Sequence, residues 1–168
     1  MHGMGIVHLD IKPANIFFQD KPGGVVCKIG DFGMSTSEGE VMDGHDGDTK
    51  YLPLESLDFT TPKSPAMDVF SLGLTLLEIA AGPLFELPSE GERWRRIREG
   101  EFVGLPHGRS SQLSATIQAM IAQDPTSRPQ PGSISEMPQC SKAGSKPDPL
   151  LSAFVKVRLD KERRTGGA

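Results

Sequence analysis

The chain has 168 residues, 36% of them hydrophobic and 24% charged, with a formal net charge of −4. This length fits one domain with its own core, and the small negative charge, with basic residues scattered along the chain, does not suggest a nucleic-acid partner. Residues 69–81, the longest apolar run, contain polar interruptions and fall short of the roughly 20 residues that span a bilayer, so no membrane segment is expected. Cys27 and Cys140 imply no disulfide framework, which suits the nucleus or the cytoplasm.

Two polar motifs near the N-terminus are suited to one chemical task. In the first, residues 8–15, Asp10 precedes Asn15 by five positions, so a carboxylate and a carboxamide share one short loop. The second is Asp31-Phe32-Gly33, whose carboxylate adds another hard oxygen ligand. Magnesium prefers such oxygens and binds through few protein groups together with substrate phosphates. The two motifs therefore predict a site for a magnesium nucleotide with a hydroxyl nucleophile beside it.

A β-hairpin is predicted to join the two motifs. Residues 16–18 and 25–29 are rich in branched and aromatic side chains, and a Pro-Gly-Gly sequence lies between them. The first motif then precedes the hairpin and the second follows it. Residues 33–49 are polar and have no helical period, so we expect this segment to be mobile.

Three helices are predicted beyond this segment. Residues 66–81 are apolar nearly all round, as expected for a helix buried inside a domain, and Gly82-Pro83 ends it. A shorter helix is predicted to start at a capping box of Ser89 and Glu92 and to end at Gly100. A third helix ends before Asp124-Pro125. The apolar positions of the last two helices are Trp94, Ile97, Leu113, Ile117, Met120 and Ile121.

The second predicted helix also carries an arginine cluster: Arg93, Arg95, Arg96 and Arg98. We expect this cluster to form the solvated face of the helix rather than a docking patch. His2, His45 and His107 lack a partner pattern and are expected on the surface. From Gln130 onward Pro, Ser, Gly and Lys dominate, so most of this tail is expected to stay unfolded.

The two motifs together resemble the catalytic loop and the magnesium loop of eukaryotic protein kinases. Residues 68–73 are similar to the start of the family's buried central helix, and residues 124–129 to the turn that closes its large lobe. The resemblance implies a mainly α fold, namely the large C-terminal lobe of the α+β kinase fold, with a short β-hairpin under the catalytic loop. This lobe would span residues 1–138, followed by a disordered tail over 139–168. The family's small lobe has no counterpart in the chain.

ATP and magnesium are the cofactors that this resemblance implies, and four residues would serve them. Asp10 would orient the acceptor hydroxyl and accept its proton. Lys12 would contact the transferring phosphoryl group, acting in both catalysis and ATP binding. Asn15 and Asp31 would hold magnesium and, through it, the nucleotide.

Four other residues are implied to be structural. His8 would pack beneath the catalytic loop, and Asp68 would accept N–H bonds from that loop, since an unpaired carboxylate at the head of an apolar helix would be costly. Glu55 and Arg128 would form the buried pair that anchors the segment after Asp31.

Departures from the common kinase pattern resemble the Wee/Myt group of cell-cycle inhibitory kinases. Leu9 stands where most kinases have Arg, Asp48 where serine/threonine kinases usually carry Thr, and residues 53–55 are Pro-Leu-Glu in place of Ala-Pro-Glu. Residues 86–102, around Trp94, add to the resemblance. The group phosphorylates cyclin-dependent kinases on a tyrosine, and in some members also a threonine. A cyclin-dependent kinase is therefore the implied partner.

Two functions stay open at this point. One is a Wee-like protein kinase that transfers phosphate from ATP to a cyclin-dependent kinase. The other is a truncated kinase relative that lacks catalysis and acts as a protein-binding module. Intact Asp10, Lys12, Asn15 and Asp31 favour descent from an active enzyme. The lack of a small lobe predicts that the 168-residue chain alone is inactive, and Leu9 predicts that phosphorylation of the segment after Asp31 does not activate.

Overall fold

A computed structural model describes residues 1–21, 24–41, 47–102 and 104–137. Over these residues it contains four α-helices and two small antiparallel sheets, which is compatible with part of a kinase domain. The strands are β1 (Ile6–Val7), β2 (Ile16–Lys21), β3 (Gly24–Ile29) and β4 (Thr36–Ser37). The helices are α1 (Pro65–Ala81), α2 (Gly91–Arg98), α3 (Ser111–Met120) and α4 (Pro131–Glu136). Short 3-10 helices lie at His2–Met4, Pro13–Asn15, Leu54–Leu57 and Pro125–Ser127.

The predicted hairpin is confirmed as β2 and β3. The two strands pair from Ile16 opposite Ile29 to Lys21 opposite Gly24, and the predicted turn residues 22 and 23 lie outside the described residues. At the open end, the Gly30 N–H donates to the Asn15 carbonyl at 2.9 Å. This bond continues the pairing by one step beyond β2 and β3. The two predicted metal ligands, Asn15 and Asp31, therefore come from the same end of one hairpin.

A second sheet places residues 36 and 37 beside the two residues that precede the catalytic loop. It pairs β1 with β4, with Ile6 opposite Ser37 and Val7 opposite Thr36. The sequence did not predict β4, which lies inside the polar segment 33–49. Because each strand has two residues, this pairing depends on its neighbours rather than on strand propensity.

Helix α1 forms the centre of the hydrophobic core, as predicted from its apolar surface. It begins one residue before the predicted start, with Pro65 in its first turn, and ends at Ala81, with Gly82 as its C-cap at φ 92°. α1 packs closely on α3 because Gly73 has no side chain: a Cβ atom there would lie 2.7 Å from Ile121 Cγ2. The buried residues of this core are Tyr51, Phe70, Leu74, Leu77, Ala80, Leu87, Ile97, Ile117 and Ile121.

The later helices depart from the prediction in three places. Helix α2 begins at Gly91 with Glu90 as its N-cap and no side-chain capping bond, so the predicted capping box of Ser89 and Glu92 is wrong. The prediction that the whole arginine cluster faces solvent is also wrong, because Arg98 is 1% exposed. Helix α4 was not predicted, because its six residues are too few to show a period. Helix α3 is confirmed, and its N-cap Ser110 accepts the Leu113 N–H at 3.2 Å.

No helix in the described part of the chain is long and apolar enough to cross a membrane. The predicted tail, residues 139–168, and His45 lie outside the described residues.

Candidate active site

The catalytic loop is fastened to the N-terminal end of α1 by Asp68. The carboxylate of Asp68 accepts the main-chain N–H groups of His8 and Leu9, both at 2.8 Å. These bonds confirm the predicted structural role of Asp68. Leu9 has φ 66°, an uncommon conformation for a branched residue, and the two bonds to the carboxylate hold it there.

His2 also binds this carboxylate, contrary to its prediction as a partnerless surface residue. His2 Nε2 lies 2.6 Å from Asp68 Oδ2, and this contact links the 3-10 helix His2–Met4 to the first turn of α1. The partner is 66 residues away in sequence, so no local pattern indicated the contact. His107 is exposed, as predicted.

His8 is buried beneath the catalytic loop, where it links the two sequence motifs. Its Nδ1 accepts the Asp10 N–H at 3.3 Å, and its Nε2 lies 3.2 Å from the Gly30 carbonyl. Its ring centroid is 4.9 Å from that of Phe32. With both ring nitrogens engaged by main-chain groups, His8 has the predicted structural position.

The Asp10 carboxylate is oriented from three directions. Asn15 Nδ2 donates to Oδ2 at 2.8 Å, the Asp48 N–H donates to Oδ1 at 3.1 Å, and Lys12 Nζ lies 3.0 Å from Oδ2. The Asp10 side chain keeps 10% of its surface accessible. A fixed carboxylate that still reaches solvent is suited to accept a hydrogen bond, and then a proton, from a substrate hydroxyl.

Asp48 also belongs to the site, although in the sequence it stood out only as a departure from the common kinase pattern. In addition to its N–H bond with Asp10, its Oδ2 lies 3.8 Å from Lys12 Nζ, so Lys12 is placed between two carboxylates. Gly47 explains the close approach of this segment. It has φ 69°, and a Cβ atom there would lie 2.3 Å from the Leu9 carbonyl oxygen.

Asn15 and Asp31 offer the oxygens that magnesium favours. Asn15 is buried, and its Nδ2 donates to both the main-chain carbonyl and the carboxylate of Asp10, at 2.8 Å each. This bonding leaves the Asn15 amide oxygen for another ligand. Asp31 has φ 63° and an exposed carboxylate whose Oδ1 accepts the Gly33 N–H at 3.3 Å. A carboxamide and a carboxylate at one hairpin end fit a magnesium ion that keeps waters and binds substrate phosphates.

This pair of oxygen ligands differs from a metal centre whose ligands are all supplied by the protein. The described residues contain no group of three or more His, Cys, Asp and Glu side chains that could hold a metal ion. Two oxygen ligands suit a metal that arrives with its nucleotide rather than one held permanently by the protein.

The predicted pair of Glu55 and Arg128 is confirmed. Arg128 Nη1 donates to Glu55 Oε1 and Nη2 donates to Oε2, the latter at 3.1 Å. This two-point contact joins the 3-10 helix Leu54–Leu57 to the turn at residues 125–128. It fixes the far end of the segment that begins at Asp31.

Comparison with known families agrees with this arrangement. The family described as "Protein kinase domain" matches residues 1–139. The chain belongs to the protein kinase family. Within this family it is 37% identical over 147 residues to Wee1-like protein kinase 2 of Danio rerio, an alignment of 77% of the chain and 27% of that relative.

Two further relatives show the same pattern. The chain is 38% identical over 130 residues to the Wee1-like protein kinase of Arabidopsis thaliana, an alignment of 77% of the chain and 24% of the relative. It is 38% identical over 137 residues to the membrane-associated tyrosine- and threonine-specific cdc2-inhibitory kinase wee-1.3 of Caenorhabditis briggsae, with 77% and 19% aligned. These relatives confirm the resemblance to the Wee/Myt group. The chain spans between 19% and 27% of their length.

Proposed function

We propose that the chain supplies the catalytic loop and magnesium ligands of a Wee-like protein kinase, which transfers the γ-phosphate of ATP to a protein hydroxyl. The observation that carries this proposal is the Asp10 carboxylate, held by Asn15, Asp48 and Lys12. The fold is then the mainly helical large lobe of the kinase fold, spanning residues 1–138. Its hairpin supports the site from below.

Each site residue has a separate task in this proposal. Asp10 accepts a hydrogen bond from the acceptor hydroxyl and takes its proton as the oxygen attacks. Lys12, at 3.0 Å from Asp10, provides positive charge for the phosphoryl group in transfer. Asn15 and Asp31 hold the magnesium ion. When bound with ATP, that ion neutralises the phosphate charge that otherwise opposes attack.

The relatives suggest the acceptor. One of them is named as a tyrosine- and threonine-specific cdc2-inhibitory kinase. We propose that the acceptor here is a tyrosine, with threonine as a second acceptor, on a cyclin-dependent kinase, and that modification inhibits entry into the cell cycle. The nucleus or the cytoplasm is the proposed site of action.

Phosphate transfer to a cyclin-dependent kinase tests this proposal. The assay uses the 168-residue chain or, if that chain is inactive, a fusion in which it follows the small lobe of a Wee1-like relative. We call whichever of the two transfers phosphate the active form. Asp10→Asn should lower kcat by a factor on the order of 10² to 10⁴ and leave the KM for ATP nearly unchanged. Asp31→Asn should instead raise the magnesium and ATP concentrations needed. Asp20→Asn, an exposed position on β2, is the control.

Two outcomes would count against the proposal. Equal effects of Asp10→Asn and Asp31→Asn on ATP affinity would contradict their separate roles. Binding of a cyclin-dependent kinase without any phosphate transfer, in both forms of the chain, would favour the protein-binding module instead.

A further inference from the structure

The main chain of residues 49–52 is held by side chains at each successive carbonyl. We call these four residues the acceptor-side segment. The carbonyl of Thr49 accepts from Trp94 Nε1 at 2.8 Å and from Arg98 Nη2 at 3.1 Å. Arg98 also donates to the carbonyls of Lys50 at 2.8 Å and Leu52 at 2.7 Å. The remaining carbonyl, at residue 51, accepts the Ser71 hydroxyl at 3.0 Å.

Arg98 is an unusual group for this task. It is 1% exposed, and all its hydrogen bonds within the described residues go to main-chain carbonyls, the fourth being that of Trp94 at 3.1 Å. Its guanidinium lies 3.9 Å from the Trp94 ring centroid. Burial lowers the pKa of Arg98 to about 9. A buried charge costs free energy unless hydrogen bonds compensate for it, and four main-chain carbonyls accept those bonds from Arg98.

The neighbouring arginines of α2 do not share this environment. Arg95 forms ion pairs with Glu92 and Glu99, and Arg96 pairs with Glu101, all with largely solvated side chains. Arg98 alone among these points to the acceptor-side segment. Arg96 therefore offers a matched control on the same helix.

The acceptor-side segment is continuous with the catalytic site. It directly follows Asp48, whose N–H donates to Asp10 Oδ1 at 3.1 Å and whose carboxylate is 3.8 Å from Lys12 Nζ. The segment is thus linked to Asp10 through the preceding residue, and it is held by side chains of helices α2 and α1 along its length. A shift of its main chain would move it relative to the residue that orients the acceptor hydroxyl.

We propose that Arg98, together with Trp94, is a positioning residue that fixes the acceptor-side segment relative to Asp10 and so determines where a protein acceptor places its hydroxyl. The inference rests on the proposed kinase function. Arg98 does not touch the reacting atoms. A guanidinium has five N–H donors in a planar fork, and that of Arg98 reaches three carbonyls of the segment at once. A lysine ammonium lacks this planar geometry.

Hydrogen exchange on the 168-residue chain tests the structural part. Arg98→Lys and Arg98→Gln should accelerate amide exchange in residues 47–52 by about tenfold or more, while the amides of α1 keep their wild-type rates. Arg96→Lys and Arg96→Gln should match the wild type. If the Arg98 variants do not fold, Trp94→Phe removes the indole N–H bond to the Thr49 carbonyl, keeps an aromatic ring beside Arg98, and should give a smaller, local acceleration. Unchanged exchange in residues 47–52 would overturn the proposal.

Acceptor kinetics with the active form test the functional part. Arg98→Lys should raise the KM for a protein acceptor by about tenfold or more, with the KM for ATP and the acceptor-free hydrolysis of ATP within about twofold of wild type. A general structural defect would change all three together, and that result, or an unchanged acceptor KM, would overturn the positioning role. If the wild type transfers no phosphate, the proposed function fails, whereas the exchange experiment still decides whether Arg98 fixes the segment.

Discussion

Removing either partner of the Glu55–Arg128 ion pair should destabilise the fold strongly. The Arg128 side chain is 1% exposed and that of Glu55 is 16% exposed. Besides its two-point contact with Glu55, Arg128 donates to the carbonyls of Ala122 at 2.8 Å, Ala66 at 3.0 Å and Gln123 at 3.1 Å. Its guanidinium also lies 4.7 Å from the Phe70 ring centroid.

The two single changes should differ in cost. Glu55→Gln leaves a buried guanidinium without its counterion, which costs about 3 to 5 kcal/mol. Arg128→Met also leaves three carbonyls without their hydrogen-bond donor, at about 1 to 3 kcal/mol each if water does not replace it. Arg128→Met should therefore destabilise the fold more than Glu55→Gln. The double variant leaves no unpaired buried charge, so its loss of stability should be smaller than the sum of the two single losses by about 2 to 3 kcal/mol. Against a typical stability of about 5 to 15 kcal/mol, either single change removes a substantial fraction of the free energy of unfolding.

Urea denaturation followed by the fluorescence of Trp94, the only tryptophan, measures these costs. Arg96→Met with Glu101→Gln provides the control cycle, because that pair is 57% and 47% exposed and should couple by about 1 kcal/mol or less. Strict additivity at Glu55 and Arg128, or a coupling no larger than in the control cycle, would refute the reasoning.

Two more predictions concern the carboxylates of Asp68 and Glu78 and the groups that donate to them. Asp68→Asn replaces one of two oxygens that accept the N–H groups of His8 and Leu9, so we expect a loss of about 2 to 4 kcal/mol in urea denaturation, and a loss below about 0.5 kcal/mol would contradict it. The Tyr51 hydroxyl donates to Glu78 at 2.6 Å, and burial with this bond raises the pKa of Tyr51. The native state therefore keeps the proton that the unfolded chain releases, and its stability is full below about pH 10 and falls above it. Tyr51→Phe should flatten the stability profile above about pH 10, and an unchanged slope there would exclude this assignment.

The parts of the fold that the sequence predicted depend on local patterns. Helix α1 follows from a long run that is apolar nearly all round, and helix α3 follows from apolar periodicity. The β2–β3 hairpin follows from two short branched runs about a glycine-rich turn. The candidate site was predictable because its residues occupy two short loops that this hairpin brings together. Asp10, Asn15 and Asp31 needed no long-range inference once the hairpin was assigned.

The residues that were missed depend on contacts between distant parts of the chain. His2 contacts a carboxylate 66 positions away, and Arg98 binds carbonyls 46 to 49 positions away. For Arg98 a signal was present: Trp94, Ile97 and Arg98 share one helical face at spacings of three and four. The prediction grouped the arginines by charge, although their positions on the helix divide them between solvent and core.

The side chain of Leu9 bears on whether phosphorylation regulates the enzyme. Leu9 is buried with Val7 and Met67, and it offers no guanidinium to a phosphate on the segment after Asp31. Arg98, Trp94 and Ser71 hold the acceptor-side segment through its carbonyls, which needs no modification. We therefore predict that the active form keeps its activity within about twofold after phosphatase treatment. Loss of most activity after phosphatase treatment, restored by rephosphorylating one residue of the segment after Asp31, would contradict this prediction. The residues to examine are Ser35, Thr36, Ser37 and Thr49.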